Sequence, residues 1–278
     1  MNFTKMHGLG NDFVVIDTRD IHGIDWKGIA GLLLNRRFGI GGDQLLLLDT
    51  SLRADFRMRI FNPDGSEVEM CGNGIRCLAN YIWKNGLSDK SPLAIETLAG
   101  VIRPERVNDM VKVDMGRPRL RPEEIPVKVS ETEKHLIDYP LHIRDRTFYI
   151  TCVSMGNPHA VIPLDDLMGI DLSTYGPLIE NHPLFPKRIN VEFVKQESRD
   201  IFKVRVWERG AGETLACGTG ASAVAVAMRL KGLGGLKQKI MLPGGELIIE
   251  LVEENGQIIR VFMTGPAQEV FRGEIEVR

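Results

Sequence analysis

The chain has 278 residues, of which 43% are hydrophobic and 26% charged, a composition typical of soluble globular proteins. A net charge of −2 excludes the strongly basic surface that nucleic acids or anionic membranes require, so neither is predicted as a partner. The sequence contains no hydrophobic run near the ~18 residues of a membrane span and no apolar signal segment. Four cysteines are too few for a disulfide scaffold. We therefore expect a cytoplasmic protein whose cysteines act as thiols.

The predicted elements follow the same order twice. In the first half, strands are predicted at 12–17, 45–49, 56–61, 94–103 and 111–115, with a short helix near 26–34 and a longer one after Cys71. In the second half, strands are predicted at 159–163, 191–195, 202–207, 239–251 and 257–263, with helices near 173–181 and after Cys217. Because strands outnumber helices and do not alternate regularly with them, the pattern favours an α+β or barrel fold.

An internal repeat accounts for this order. With an offset of 146, residues 56–74 (FRMRIFNPDGSEVEMCGNG) align with residues 202–220 (FKVRVWERGAGETLACGTG) without a gap, and six of the nineteen positions are identical. Under the same offset, Asn11 aligns with Asn157 and Gln44 with Asn190. We interpret this as an internal duplication. It predicts two pseudo-symmetric domains, one formed by 1–118 plus 265–278 and the other by 119–264.

The longer helix of each half is predicted to be central. In the first, apolar residues recur at i, i+3, i+4, i+7 and i+8 from Ile75 to Trp83. In the second, residues 221–228 are apolar or small on nearly every face, which is typical of a fully buried helix. We therefore expect each domain to be a mixed, barrel-like sheet curled around one helix.

Both central helices are predicted to begin at a Cys-Gly-Xaa-Gly sequence, at Cys71 and Cys217. A helix N-terminus offers free N–H groups and a partial positive charge, which favour binding of an anion such as a carboxylate. The same field stabilises a thiolate, so both cysteines are expected to have a lowered pKa. If the two halves face each other, one thiolate can remove a proton from a carbon beside a carboxylate while the other thiol protonates the opposite face. The pair would then titrate as a coupled set.

Other interpretations of these residues are weaker. Cys77 and Cys152 lack a cysteine counterpart at the same offset and are predicted to be buried core residues. No Cys/His pair has zinc-ligand spacing, so no metal is predicted. The G-x-G-x-x-A match at 218–223 lacks the acidic residue about 20 positions later that dinucleotide sites use. No feature singles out a Schiff-base lysine for pyridoxal phosphate. No cofactor is predicted.

Several segments resemble the diaminopimelate epimerase family. The two signature-like segments are MCGNGIRC (70–77) and ERGAGETLACGTGAS (208–222), and MHGLGNDFVVID, RRFGIGGDQLLL, FNPDGSEVEMCGNG and MGNPHAV are also similar to that family. The resemblance covers nearly the whole chain. It implies cofactor-independent interconversion of LL- and meso-2,6-diaminopimelate in lysine and peptidoglycan biosynthesis. It also implies two pseudo-symmetric α+β domains and a homodimer.

The resemblance further implies roles for individual residues. Cys71 and Cys217 would be the two acid/base thiols, with His159 and Glu208 as the neighbours that tune them. Backbone donors at the two helix starts would hold the α-carboxylate: Gly72, Asn73, Gly218 and Thr219. The remaining substrate-lining residues would be Asn11, Gln44, Asn62, Asn157, Asn190, Glu208 and Arg209. A substrate with a second ammonium-carboxylate end needs ion-pairing groups of both signs, and Glu208 and Arg209 supply one of each.

Two other hypotheses remain. Proline and hydroxyproline racemases belong to the same superfamily, but they resemble MCGHG at the first site, where this chain has Asn73. A non-catalytic amino-acid-binding protein on the same scaffold would not need a thiol in each half. A PhzF-like isomerase would not be expected to keep both cysteines.

Overall fold

The computed structural model describes residues 1–130 and 132–276. Within these ranges it contains four helices: α1 (Trp26–Leu34), α2 (Gly72–Lys84), α3 (Leu172–Glu180) and α4 (Gly218–Leu230). The strands before residue 120 are β1 (Asn2–Gly8), β2 (Asn11–Asp17), β3 (Gln44–Asp49), β4 (Phe56–Phe61), β5 (Ile95–Thr97), β6 (Gly100–Ile102), β7 (Glu105–Val107) and β8 (Met110–Gly116). The later strands are β9 (Tyr139–Ile143), β10 (Arg146–Ser154), β11 (Pro158–Pro163), β12 (Asn190–Ser198), β13 (Ile201–Glu208), β14 (Gly212–Thr214), β15 (Lys237–Leu242), β16 (Gly245–Glu254), β17 (Gln257–Pro266) and β18 (Gln268–Glu274).

The chain divides into two compact units. The first comprises residues 1–114 with 264–278, and the second residues 115–263. The first contains a mixed sheet in the order β18-β1-β2-β3-β4-β5-β6. In the second, the strands run in the order β17-β16-β15-β13-β12-β11-β10-β9, and β14 pairs with β13. In neither unit do the described strands close into a continuous barrel, so each is an open sheet that packs on a helix.

The predicted central helices are confirmed. α2 packs against β1 to β4 and β18. α4 packs against five strands of its own unit, β10, β11, β12, β15 and β16. All residues from Gly220 to Met228 are buried, because small Ala and Val side chains let the strands approach the helix on every side.

The short helices α1 and α3 are also where the sequence predicts them. Two predicted strands are instead hairpins. The segment 94–103 contains a turn at Leu98-Ala99, and the segment 239–251 contains one at Pro243-Gly244. Each turn reverses the chain, so each segment forms two antiparallel strands, β5 with β6 and β15 with β16. No described helix combines the length and hydrophobicity of a membrane-spanning segment.

Candidate active site

In the first unit, three amide side chains lie at one end of the sheet. Asn11 begins β2, Gln44 begins β3, and Asn62 follows the last residue of β4. Because β2 and β3 are parallel and β3 and β4 antiparallel, these three positions lie at the same end of the neighbouring strands. Gln44 Nε2 donates to Asn62 Oδ1 at 2.9 Å. The buried Oε1 of Gln44 has no hydrogen-bond partner among the described residues, so it is an acceptor available to a ligand.

Cys71 is the N-cap of α2, with extended backbone angles. Its Sγ accepts a hydrogen bond from Gly74 N at 3.4 Å and lies 3.8 Å from Asn11 Oδ1. Asn73 Nδ2 donates to the same Asn11 oxygen at 3.1 Å. The structure therefore places Cys71, Asn73 and Asn11 in one cluster. The first N–H groups of α2, from Gly72 onward, have no acceptor within the helix and suit a bound carboxylate.

A charged cluster orients the Asn11 amide. Asp43 Oδ2 accepts from Asn11 Nδ2 at 2.8 Å, which turns Asn11 Oδ1 towards Cys71. Asp12 pairs with Lys5 at 2.6 Å and with Arg36 at 2.6 Å, and Arg36 also binds Asp43. Burial of Asp12 tends to raise its pKa, but the hydrogen bonds from Arg36 and Lys5 outweigh this and lower it well below its usual value. Asp43, which sequence analysis missed, therefore sets the direction of a predicted site residue.

In the second unit, His159, Asn190 and Glu208 lie at the equivalent end of the sheet. His159 lies on β11 directly opposite Asn190 at the start of the parallel strand β12, and Glu208 is the last residue of β13. His159 is fully buried between Glu192 Oε1 at 2.7 Å and Asn157 Oδ1 at 3.0 Å. Both ring nitrogens thus lie within hydrogen-bond distance of side-chain oxygens. His159 therefore acts on the surroundings of Cys217 through its contact with Glu192.

Cys217 is the N-cap of α4. Its Sγ accepts a hydrogen bond from Gly220 N at 3.3 Å and lies 3.4 Å from Thr219 Oγ1. Burial raises the pKa of Cys217 well above its usual value, and the charges of Glu208 and Glu192 raise it further. The expectation of a lowered pKa is therefore wrong for Cys217: the helix field and the Thr219 hydroxyl act in the predicted direction, but burial and two carboxylates outweigh them.

Glu208 has a partly buried carboxyl group beside this thiol. Burial raises its pKa, and the charge of Glu192 adds to the effect, while hydrogen bonds from Thr214 and Cys217 oppose it. Thr214 Oγ1 donates to Glu208 Oε1 at 2.5 Å. Glu208 thus lies within hydrogen-bond reach of the Cys217 thiol.

The turn after Glu208 is fixed by buried groups. Arg209 N donates to Asn190 Oδ1 at 2.9 Å, and Arg209 Nη1 donates to Lys187 O at 2.9 Å. Glu180, which sequence analysis missed, accepts from Gly210 N at 2.9 Å and from Trp207 Nε1 at 2.8 Å. The buried Glu180 therefore holds both sides of the turn that carries Glu208 and Arg209.

Four buried charged residues around these sites were not predicted: Lys5, Arg76, Glu180 and Glu192. Glu192 interrupts the apolar run VEFV, and a charged residue inside a buried strand is the signal that could have identified it. Cys77 and Cys152 are buried, as predicted. Within the described residues, no group of three His, Cys, Asp or Glu side chains is arranged to hold a metal ion.

A sequence model of the family described as "Diaminopimelate epimerase" matches residues 3–121 and 151–270. The chain belongs to the diaminopimelate epimerase family, and it is therefore an isomerase. It is 55% identical to the diaminopimelate epimerase of Carboxydothermus hydrogenoformans, over 99% of both chains. It is 50% identical to that of Moorella thermoacetica, over 99% of both chains, and 49% identical to that of Methanococcus maripaludis, over the full length of both.

Solved structures of other proteins share the fold. A PhzF-family phenazine biosynthesis protein of Bacillus anthracis is similar with a TM-score of 0.72 and 17% identity, over 100% of this chain and 99% of the other. A probable proline racemase of Agrobacterium radiobacter is similar with a TM-score of 0.68 and 16% identity, over 100% and 93% of the two chains. At these identities the similarity concerns the fold alone.

Proposed function

We propose that this chain interconverts LL- and meso-2,6-diaminopimelate without a cofactor, by a two-base mechanism in which Cys71 and Cys217 are the acid and the base. The observation that carries this proposal is the matched pair of helix starts. In each unit, a cysteine caps the buried central helix and accepts a backbone N–H three residues later, at 3.4 Å for Cys71 and 3.3 Å for Cys217. Each half thus offers one thiol beside free helix N–H groups.

The chemistry needs both thiols. One thiolate takes the α-proton, the electron pair stays on the α-carbon beside the carboxylate, and the opposite thiol returns a proton to the other face. One S–H bond forms and another breaks, so no oxidant or external base is consumed. Backbone N–H groups at Gly72, Asn73, Gly218 and Thr219 hold the α-carboxylate and stabilise the charge that develops next to it. Reversal exchanges the roles of the two sulfur atoms.

The remaining polar groups recognise the rest of the substrate. The buried Oε1 of Gln44, which lacks a partner among the described residues, accepts from a substrate ammonium group. Asn11, Asn62 and Asn157 supply further amide groups, and Asn190 shapes the site through the backbone groups that its amide holds. Arg209 binds the distal carboxylate, and Glu208 serves both the distal ammonium group and the proton exchange of Cys217. His159 acts on Cys217 through Glu192.

The proposed chemistry also indicates the pathway and the compartment in which the enzyme works. We assign the enzyme to lysine and peptidoglycan precursor biosynthesis in the cytoplasm, where reducing conditions keep the cysteines as free thiols. We also propose a homodimer, as the family resemblance implies. Diaminopimelate is the proposed partner.

The test is a turnover assay with competing substrates. The reduced protein, without added cofactor, is incubated separately with LL-diaminopimelate, L-proline and trans-4-hydroxy-L-proline, and the products are separated by chiral chromatography. We expect meso-diaminopimelate to form and both proline substrates to remain unchanged. Cys71→Ala and Cys217→Ala are expected to lose activity, whereas Cys152→Ala, which changes a buried cysteine outside the proposed proton transfer, should keep it. Turnover of proline without turnover of diaminopimelate would overturn the proposal.

A further inference from the structure

The two helix starts rest on different residues. A Cβ built on Gly74 would lie 3.2 Å from Leu46 Cδ2, whereas a Cβ built on Gly220 would lie 2.7 Å from Glu192 Oε1. Leu46 and Glu192 occupy equivalent positions of the duplicated sequence, on β3 and β12. The same slot beneath the first helical turn is therefore filled by a hydrocarbon side chain in the first unit and by a carboxyl group in the second.

At a second pair of equivalent positions, the charged residue is in the first unit and the neutral residue in the second. Arg76 on α2 corresponds to Ser222 on α4. The Arg76 side chain is fully buried. Its Nη1 donates to Gly72 O at 3.2 Å and its Nη2 to Asn73 Oδ1 at 3.0 Å, so the cation lies against the first turn of α2. Ser222, by contrast, is neutral, and its Oγ donates to Gly218 O at 2.9 Å.

Each buried charge acts on the thiol of its own unit. Burial lowers the pKa of Arg76, and its attraction to the negative charges of Cys77 and Cys71 raises it again. Attraction is mutual, so Arg76 favours the Cys71 thiolate. In the second unit, the charge of Glu192 adds to the burial that raises the pKa of Cys217. Glu192 Oε1 contacts His159 Nδ1 at 2.7 Å, whereas the buried Glu192 Oε2 has no hydrogen-bond partner among the described residues.

The other charged groups do not cancel this contrast. The cluster behind Asn11 consists of Lys5, Arg36, Asp12 and Asp43, whose two positive and two negative charges balance. Around Cys217, Glu208 carries the same sign as Glu192, and His159 Nδ1 lies 2.7 Å from Glu192 Oε1. The duplicated scaffold therefore presents a positive buried side chain at one thiol and carboxyl groups at the other.

We propose that Arg76 and Glu192 are positioning residues that divide the two thiols in the resting enzyme, with Arg76 keeping Cys71 as the thiolate and Glu192 keeping Cys217 as the protonated thiol. This rests on the proposed two-base function, for which one base and one acid must be ready when substrate binds. Arg76 additionally holds Asn73, which shares the Asn11 oxygen with Cys71. Neither residue needs to touch the substrate for this role.

The experiment measures each thiol directly, without substrate. The native enzyme is alkylated with iodoacetamide from pH 5 to 10, and the rates at Cys71 and Cys217 are obtained separately by peptide mass spectrometry. The midpoint of each pH profile reports thiolate formation, and it does not move with accessibility as the absolute rate does. In the parent enzyme, we expect Cys71 to have the lower midpoint.

The variants test the two charges one at a time. Arg76→Met should raise the Cys71 midpoint by about one pH unit, equivalent to about a tenfold smaller ratio of thiolate to thiol at a given pH, without moving Cys217. Arg76→Lys keeps the positive charge, so its Cys71 midpoint should lie close to that of the parent enzyme. The isosteric Glu192→Gln should lower the Cys217 midpoint by a similar amount. Ser222→Ala, the matched change on the opposite helix, should move neither midpoint.

A lower midpoint at Cys217 than at Cys71 in the parent enzyme would overturn the proposal. So would an unchanged Cys217 midpoint in Glu192→Gln, and this result decides the matter even if Arg76→Met does not fold. Because the readout is alkylation, loss of diaminopimelate turnover in the parent would refute the proposed function while leaving this measurement intact.

Discussion

Asn190 Oδ1 accepts a hydrogen bond from the backbone N–H of Arg209 at 2.9 Å. The other end of the same amide donates from Nδ2 to Pro158 O at 2.8 Å, and the side chain is buried. Asn190 therefore ties the start of β11 and the turn after β13 to the start of β12. Its described hydrogen bonds are structural, so Asn190 shapes the proposed substrate site by holding its backbone.

Replacement of Asn190 by Ala should destabilise the fold. The change leaves the buried Pro158 O and the partly buried Arg209 N without their present partner, which costs about 1–3 kcal/mol. Urea unfolding measures the loss. Asn181→Ala is the matched control, because Asn181 donates a similar bond to Pro177 O from an exposed position and should change the free energy of unfolding by less than about 0.5 kcal/mol. Equal losses in the two variants would show that the Asn190 bridge is unimportant.

The sequence predicted the central helices and most strands that line them, because these segments carry strong apolar periodicity. It missed β7, β10, β14 and β18, as well as β1, whose buried face is interrupted by Lys5, and β9, which contains Pro140, a residue that is unfavourable in strands. Lys5 is buried because it pairs with Asp12 and donates to Gly41 O, contacts between distant parts of the sequence. Local pattern cannot reveal such pairing.

The candidate site was predictable to a similar extent. The duplication identified both cysteines and their helix starts, since each lies within a repeated motif. The sign of the Cys217 pKa shift was not predictable from that motif, because it depends on burial and on Glu192, a strand residue 25 positions away. Arg76 and Glu180 were missed for a similar reason: Arg76 Nε also donates to Pro266 O on β17, and Glu180 on α3 accepts from Trp207 on β13.

Glu180→Gln should reduce catalytic efficiency although Glu180 lies outside the proposed chemistry. Both carboxylate oxygens accept from donors, Trp207 Nε1 and Gly210 N, and an amide group would place its own donor against one of them. Loss of a hydrogen bond to a charged group costs about 1.5–3 kcal/mol. If this displaces the turn that carries Arg209, kcat/KM for diaminopimelate should fall about tenfold or more.

Steady-state kinetics tests this expectation against a matched surface variant. Glu213→Gln removes a partly exposed ion pair with Arg205 on the same hairpin and should leave kcat/KM nearly unchanged. Unaltered kcat/KM in Glu180→Gln would contradict the role of Glu180 in holding the turn.

The buried thiols should make the fold sensitive to alkaline pH. Burial raises the pKa of Cys77 to about 12 from a usual value of 9.0, with Arg76 opposing the shift. Above pH 9 the unfolded chain loses the Cys77 proton while the folded protein keeps it, so the free energy of unfolding falls as pH rises towards 12. One such thiol contributes a slope of up to about 1.4 kcal/mol per pH unit.

Urea unfolding of the reduced protein between pH 9 and 10.5 measures this slope. The parent should lose stability with rising pH, and Cys77→Ala should lose it less steeply, even if its stability at pH 8 is lower. An identical slope in the two proteins would mean that Cys77 ionises as readily in the folded state as in the unfolded chain.

The central claim is that separate thiols remove and return the α-proton. It is tested most directly by incubating the reduced enzyme with LL-diaminopimelate in deuterated water and analysing the products at low conversion by mass spectrometry. The account predicts that each meso product molecule carries one deuterium at the inverted α-carbon, that the remaining LL substrate is unlabelled, and that Cys71→Ala and Cys217→Ala form no product. Meso product that retains its original α-proton would mean that a single base carries the proton between faces, and would contradict the two-thiol mechanism.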